Sequence, residues 1–338
     1  MANNLKIAVI GAGSWGTALG VLLAQKKYNV SLWGHKSLHI EDLRRDRENR
    51  KFLANIPFSD QLHPEDDLKQ AVRGAFMVVM VVPSHSYRSV FTALVPFLAN
   101  NCRVVSAVKG IENSSLMTMT QIMEDVLREQ QSNATIEVGV LSGPSFAIEV
   151  AQNIPTAVTI GFEKIAVAKE VQKLFVTDYF RVYASEDVIG LEISAALKNI
   201  IAIATGVCDG LGYGLNTRAA LITRGLAEIK RLGIALGADS ATFSGLSGMG
   251  DLLLTCTGSL SRNRTVGLKL GEGKKLDQIK DEMSMVAEGI KTTRSVFDLA
   301  KKLKIEMPIL EQVYNIIYKD KTCADAVKDL LSRELKVE

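Results

Sequence analysis

Long apolar runs are missing from this chain: nowhere do 18 uninterrupted apolar residues occur, so no integral membrane segment is expected. The start, MANNLKIAVIGAG, lacks a basic, then apolar, leader pattern, and a soluble cytoplasmic protein is expected. Cysteine is sparse. Cys102, Cys208, Cys256 and Cys323 lie far apart without CxxC spacing, which argues against a disulfide framework. With only 4 His, no metal site is expected either. Neither sign of charge dominates: 40 Lys plus Arg stand against 37 Asp plus Glu, net +3, with no long basic block. Nucleic acid is therefore not expected as a partner. Proline numbers only 7 and no internal repeat is visible, which excludes a linker-rich or repeat architecture.

What is present is length and alternation. At 338 residues the chain exceeds the size at which one core usually stops growing, so two domains are expected. The first half alternates β-branched runs with amphipathic stretches, the pattern of βαβ units. Strands are expected at 5–10, 28–33, 76–82, 103–108, 138–143, 156–161 and 180–185. Between them, 14–27, 38–47, 65–72, 87–98 and 116–129 carry helical spacing. After Ser185 the β pattern stops, and helices are expected at 187–207, 217–236, 262–271, 287–303 and 308–319. The expected fold is an α/β Rossmann-like, doubly wound and mainly parallel sheet over 1–186, followed by an all-α domain over 187–338.

VIGAGSWGTALG sets Gly11, Gly13 and Gly16 in GxGxxG, directly after one strand and opening a helix. In that context the first glycine makes the turn, the second admits a pyrophosphate and the third lets helix and strand pack closely. A dinucleotide is the expected cofactor, its phosphates meeting free N–H groups at the helix start. NAD-binding second strands usually end in Asp or Glu; this one ends Leu32-Trp33-Gly34-His35-Lys36. The missing carboxylate, with His35 and Lys36 at the turn, favours NADP over NAD.

Polar groups gather where strands end. VVPSHSY follows 76–82, SAVKGIE puts Lys109 just past 103–108, and LSGPSFAIE ends a strand at Gly143, Pro144 and Ser145. The last turn suits a phosphate and equally a plain capped turn. In the helical half, SGMGDLLLTCTGSLSRNRTVG combines Asp251, Thr255 and the run Ser261-Arg262-Asn263. Ser261 suits an N-cap, and Arg262 adds a donor fork to that amide-rich end, as for a phosphomonoester. A capped surface helix with a solvated arginine is the alternative. LEISAALKNIIAIATG buries one lysine, Lys198, among apolar residues, with Ser194 and Thr205 within about 40° of it. Desolvation and a nearby cation such as Lys109 would bring its pKa toward the proton-transfer range. Snorkelling, or pairing with Glu192 or Asp187, is the competing explanation. Methionine at this position is expected to fold at least as well, because it removes a buried charge at similar volume.

Taken together, GAGSWGTALG, LWGH, VVPSH, KGIE, SGPSFA, ALKNIIAIATG, ALITRGLAEI, GDLLLTC, SRNR and the EG at 288–289 resemble the bacterial NAD(P)-dependent glycerol-3-phosphate dehydrogenase family. The motifs occur in the family's order from residue 7 to about 320. The resemblance implies interconversion of dihydroxyacetone phosphate and sn-glycerol 3-phosphate with NADP or NAD and no metal, feeding phospholipid synthesis. It makes Lys198 the proton donor and acceptor and sets Lys109 between cofactor and substrate. It further implies substrate contacts at Gly143, Ser145, Asp251, Ser261, Arg262 and Asn263. Cofactor contacts are implied at Ser14, Trp15, His35, Lys109, Ala147, Arg262, Val286 and Glu288. Where many members carry arginine after the LWG turn, this chain has His35-Lys36. The rivals are another two-domain β-hydroxyacid dehydrogenase, whose substrates need a carboxylate site, and a catalytically silent dinucleotide-binding regulator. From the apolar helices of the second half a homodimer is expected.

Overall fold

The computed structural model describes residues 5–132, 134–283 and 287–334. The chain forms two compact units, one of 1–108 with 119–191 and one of 109–118 with 192–338.

Among the described residues the first unit holds ten strands: β1 (Lys6–Ile10), β2 (Asn29–Trp33), β3 (Glu48–Asn49), β4 (Leu53–Pro57), β5 (Leu62–Glu65), β6 (Met77–Met80), β7 (Arg103–Ser106), β8 (Glu137–Ser142), β9 (Thr156–Phe162) and β10 (Phe180–Ser185). Eight build one sheet in the order β10-β9-β8-β7-β6-β1-β2-β5, while β3 and β4 pair as a separate hairpin. The sheet is parallel except where β9 runs antiparallel to β8, in line with the mainly parallel expectation. Ile7 to Ile10 and Met77 to Met80 are fully buried, as central strands covered on both faces require. The strand order reverses at β1, which lies between β2 and β6. Ligands bind beyond the carboxyl ends of strands at such a switch point.

Two expectations are corrected here. The hairpin β3–β4 and the edge strand β5 were not anticipated, and the helix expected from Glu65 begins at Leu68. Asp67 caps it by accepting the amides of Lys69 and Gln70, which sets the start. Pro64 inside β5 disguised that strand; an edge strand tolerates proline because one side of its backbone needs no ladder bond. The short helix Ala147–Ala151 follows the turn at 143–145, and the helix Ile165–Phe175 went unanticipated.

The second unit is helical. Its long helix Val188–Gly210 begins inside the first unit, because Val188 and Leu191 pack with Val140 of β8. This helix is long and apolar enough to span a membrane by length and composition, yet 89% of its most apolar window is buried within the protein. It continues past the expected 207 to Gly210. Helices Leu215–Ala235, Arg262–Gly271, Glu288–Leu303 and Pro308–Tyr318 follow near their expected bounds; Asp251–Thr257, Leu276–Glu282 and Cys323–Leu331 are additional. Pro308–Tyr318 has no side-chain cap of its own, and the carboxylate of Glu228 instead accepts the amides of Ile309 and Leu310 at 2.7 and 3.2 Å.

Residues 109–118, expected in the first domain, group with the helices. Ile111 bridges Thr118, and the Ser295 hydroxyl donates to the Ile111 carbonyl at 3.1 Å, tying this excursion to the helix Glu288–Leu303. The expected single boundary at 186 thus differs from the division that the packing makes.

Candidate active site

In the first unit the glycine turn leaves β1 at the switch point. Gly11 has φ +129°, and a Cβ there would stand 2.6 Å from the Val81 carbonyl oxygen, so only glycine fits. A Cβ on Gly16 would sit 1.8 Å from the Gly11 carbonyl oxygen, while one on Gly13 would meet nothing within 4 Å. The turn is closed against the sheet at its ends and open in its middle, the cradle a pyrophosphate needs. Ser14 and Trp15 begin the helix Ser14–Gln25.

The hairpin supplies what the sequence did not signal. Asn49, fully buried, donates from Nδ2 to the Ala12 carbonyl at 3.1 Å and to Thr17 Oγ1 at 2.7 Å. Ser14 Oγ donates to the Phe52 carbonyl at 2.7 Å. Asn49 was missed because nothing local marks a single asparagine as the brace of a turn so distant in sequence.

His35 and Lys36 are exposed just past β2. The neighbouring strand β5 does end in carboxylates, Glu65 and Asp66, and both are engaged by Arg44, at 3.3 and 2.7 Å. Gly143 has φ +142°, with a Cβ there 2.8 Å from Val158 Cα, and Ser145 Oγ donates to its carbonyl at 3.1 Å. Ala147 opens the short helix beyond them.

The second unit answers the question raised by the buried lysine. Lys198, 5% exposed, donates to Asp251 Oδ1 at 2.5 Å and to Thr255 Oγ1 at 2.7 Å. Thr255 passes its own proton to the Asp251 carbonyl at 2.6 Å, leaving its oxygen free to accept. Lys109 donates to Asp251 Oδ2 at 2.8 Å. One carboxylate, 1% exposed, thus joins two ammonium groups. Pairing with Glu192 or Asp187 is overturned: the carboxylate of Asp187 accepts the Gly190 amide, and Lys198 turns to Asp251. Burial pulls the Lys198 ammonium down to about 7; Asp251 opposes this, and Lys109 adds to it. Ser194, one turn away, is buried with its hydroxyl unpartnered.

Asp251 opens the helix Asp251–Thr257, directly after a π-helical turn, Leu246–Gly250. Such π-helical turns are rare overall and frequent at functional positions. Gly248 is needed within it, since a Cβ would stand 2.1 Å from the Phe243 carbonyl oxygen.

The helix Arg262–Gly271 starts as expected, with Ser261 Oγ accepting the Arg264 amide at 3.3 Å. Arg262 is exposed at its first position. Crowding around the guanidinium lowers its pKa from the ordinary value, and Glu288 works against that lowering. Asn263 Oδ1 accepts the Gly289 amide at 3.0 Å. A Cβ on Gly289 would stand 2.6 Å from Asn263 Oδ1 and 3.1 Å from the Asn199 carbonyl. The SRNR start therefore lies beside the turn that carries Lys198. Val286 lies outside the described residues.

The structure thus gathers Lys109, Lys198, Asp251, Ser261, Arg262, Asn263 and Glu288 in the helical unit, and Gly11, Gly13, Ser14, Trp15, Gly16, His35, Lys36, Gly143, Ser145 and Ala147 in the sheet unit. Among the described residues no cluster of His, Cys, Asp and Glu suited to a metal ion occurs.

A dinucleotide cradle in one unit and a buried lysine–carboxylate pair in the other define the chain as a two-unit dinucleotide-dependent dehydrogenase. Its family is equally plain: the chain belongs to the NAD-dependent glycerol-3-phosphate dehydrogenases, matching the family's N-terminal model over 6–168 and its C-terminal model over 187–328. It is 61% identical over 332 residues to glycerol-3-phosphate dehydrogenase [NAD(P)+] of Desulfotalea psychrophila, covering 98% of each chain. Identity to the enzyme of the same name from Citrifermentans bemidjiense is 54%, again over 98% of each. The crystal structure of glycerol-3-phosphate dehydrogenase from Coxiella burnetii superposes with a TM-score of 0.92 at 39% identity, covering 98% of this chain and 99% of that one. A ketopantoate reductase from Ralstonia eutropha shares the fold alone, at 15% identity and a TM-score of 0.59.

Proposed function

We propose that the chain interconverts dihydroxyacetone phosphate and sn-glycerol 3-phosphate using NADPH or NADH, with Lys198 moving the proton. The observation that carries this reading is the buried contact of Lys198 with Asp251 and Thr255, shared with Lys109. When bound, the nicotinamide supplies or accepts the hydride; the chain's own residues do the rest.

In reduction, Lys198 Nζ gives a proton to the oxygen that grows negative on the ketone carbon. Asp251 keeps the ammonium charged until that moment, and the neutral amine is tolerated afterwards because burial already favours it. In oxidation the neutral amine takes the hydroxyl proton. Lys109, about one-fifth exposed at its side chain, adds positive charge where the oxygen becomes anionic. Arg262, the Asn263 amide NH2 and the amides behind Ser261 hold the phosphate. That grip is remote from the reacting carbon, so its binding energy orients the ketone. Gly143 and Ser145 are proposed as further substrate contacts from the sheet unit.

Gly11, Gly13, Ser14, Trp15, Gly16, His35, Lys36, Lys109, Ala147, Arg262, Val286 and Glu288 are proposed to hold the dinucleotide. The fit is supported by the open middle of the glycine turn and by the exposed His35 and Lys36 past β2, and NADPH is the preferred form on this reading. The sheet unit would serve as the nucleotide domain and the helical unit as the substrate domain. Leu215, Leu253 and Leu260, exposed on the helical unit, support a homodimer. A cytoplasmic place and a role in supplying the phospholipid backbone accompany the proposed activity.

The test is ketone-dependent NADPH oxidation with dihydroxyacetone phosphate set against 2-keto acids. Turnover confined to the phosphorylated ketone is expected; turnover of the keto acids alone would transfer the chain to the β-hydroxyacid reading. Absence of any turnover would favour the silent regulator.

A further inference from the structure

Resting on the assignment of the phosphate to Arg262 and Asn263, a second set of residues decides where that grip stands relative to Lys198. The helix Arg262–Gly271 crosses the helix Val188–Gly210 at backbone contact. A Cβ on Gly206 would stand 2.1 Å from the Arg264 carbonyl oxygen, one on Gly210 2.2 Å from that of Leu268, and one on Gly267 2.0 Å from that of Ile203. Both helices repeat glycine at four-residue spacing at the crossing, Gly206 with Gly210 and Gly267 with Gly271. The backbones can therefore come closer than any side chain would permit.

Close packing alone leaves helices able to slide, and a charged clamp opposes that. Asp209, its side chain 8% exposed, sits in the last turn of Val188–Gly210, where the helix dipole disfavours a carboxylate. It is held there by two arginines. Arg264 approaches Oδ2 with Nε at 2.9 Å and Nη2 at 2.7 Å, and Arg218 approaches Oδ1 with Nε at 3.1 Å and Nη2 at 2.5 Å. Such forked pairs fix orientation as well as charge. At roughly 100° and 1.5 Å per residue, Lys198 and Asp209 lie about 20° apart around the helix and about 16 Å apart along it. One helix face thus carries the proton donor and, further along, the anchor of the helix whose start grips phosphate.

We propose that Asp209 is a positioning residue for the substrate phosphate: by clamping Arg264 across the glycine crossing, it holds the Ser261–Asn263 helix start at a set distance from Lys198. It touches neither substrate nor cofactor and acts through Arg264.

The test compares Asp209→Asn and Arg264→Lys in the full chain. The second variant keeps a cation and loses the fork, so it carries the test should the first fail to fold. Each is assayed with dihydroxyacetone phosphate and with phosphate-free dihydroxyacetone, alongside NADPH binding by fluorescence and thermal melting. The expected result is a rise in KM for dihydroxyacetone phosphate of about tenfold, the scale of a small misplacement of a binding group. The expectation includes kcat within about threefold, kcat/KM for dihydroxyacetone unchanged, and an NADPH Kd, to which Arg262 also contributes, that rises by less than the KM. An unchanged or lowered KM in the variants that fold, or equal losses on both ketones, overturns the proposal and leaves Asp209 a structural tie. Arg262→Ala separates the two layers. If it raises KM for the phosphorylated ketone while the clamp variants do not, the positioning role alone falls; if it leaves KM untouched, the phosphate assignment falls and the positioning role with it.

Discussion

Lys198 and Asp251 meet at 2.5 Å in an interior where neither is more than 5% exposed, although 53 residues of chain separate them. A buried ammonium with a buried carboxylate is tolerated only when remaining donors and acceptors are also satisfied. Thr255 supplies a second acceptor to Lys198, and Lys109 donates to the other oxygen of Asp251.

Lys198→Ala is expected to lower kcat by about 10² or more, the usual loss for a positioned general acid or base, with NADPH binding nearly unchanged. Steady-state kinetics and cofactor titration check this; wild-type turnover would make the lysine structural. The sequence-based expectation that methionine is harmless at this position is revised. Because Asp251 would be left with Lys109 alone, Lys198→Met should lower the melting temperature, by an amount equivalent to about 1–3 kcal/mol.

The pH dependence has a definite sign. As the acid in reduction Lys198 must carry its proton, so kcat/KM for reduction should fall as pH rises through about 7, and that for oxidation should rise over the same range. Asp251 raises the lysine's pKa, so in Asp251→Asn the reduction limb should move to lower pH. Profiles measured for wild type and variant decide, and a shift to higher pH would contradict the electrostatics described.

Arg262→Ala should raise KM for dihydroxyacetone phosphate by an amount corresponding to about 1.5–3 kcal/mol, the worth of a charged hydrogen bond. A phosphate-free ketone should be affected far less. Equal losses on both would remove the arginine from the phosphate.

Cofactor choice should turn on Lys36. Lys36→Glu is expected to move discrimination toward NADH by roughly 1–3 kcal/mol, through lost attraction and added repulsion of the 2′-phosphate. The wild-type preference for NADPH should shrink with salt, since exposed cations are screened as the Debye length falls from about 10 Å at 0.1 M to 3 Å at 1 M. Measuring kcat/KM for both cofactors at two salt concentrations tests both statements, and a wild type that prefers NADH at both would refute them.

Asn49→Ala removes two buried hydrogen bonds from the glycine turn. It is expected to cost about 1–3 kcal/mol of stability, because the Ala12 carbonyl loses a buried donor, and to weaken dinucleotide binding. A melting curve and an NADPH titration measure the two effects separately.

Local signals determined much of this protein from the sequence alone. GxGxxG between a strand and a helix, β-branched runs in 76–82 and 103–108, and Ser261 ahead of a helical stretch each depend on neighbours within a few residues. Backbone preference and capping act over that range, so these features were legible. The same holds for Lys198 as an anomaly, since a charge among apolar residues is visible without coordinates. What it pairs with was decided only by the tertiary structure. Glu192 and Asp187 were the near candidates, but the partner is Asp251, 53 residues away in the chain, on a helix that follows a π-helical turn. Asn49 beneath the glycine turn, Glu228 capping a distant helix and residues 109–118 joining the helical unit were likewise beyond local reading. Each satisfies a buried polar group or tethers a backbone carbonyl with a partner far away in the chain. Burial makes such partners necessary, but only the assembled fold chooses which residue supplies them.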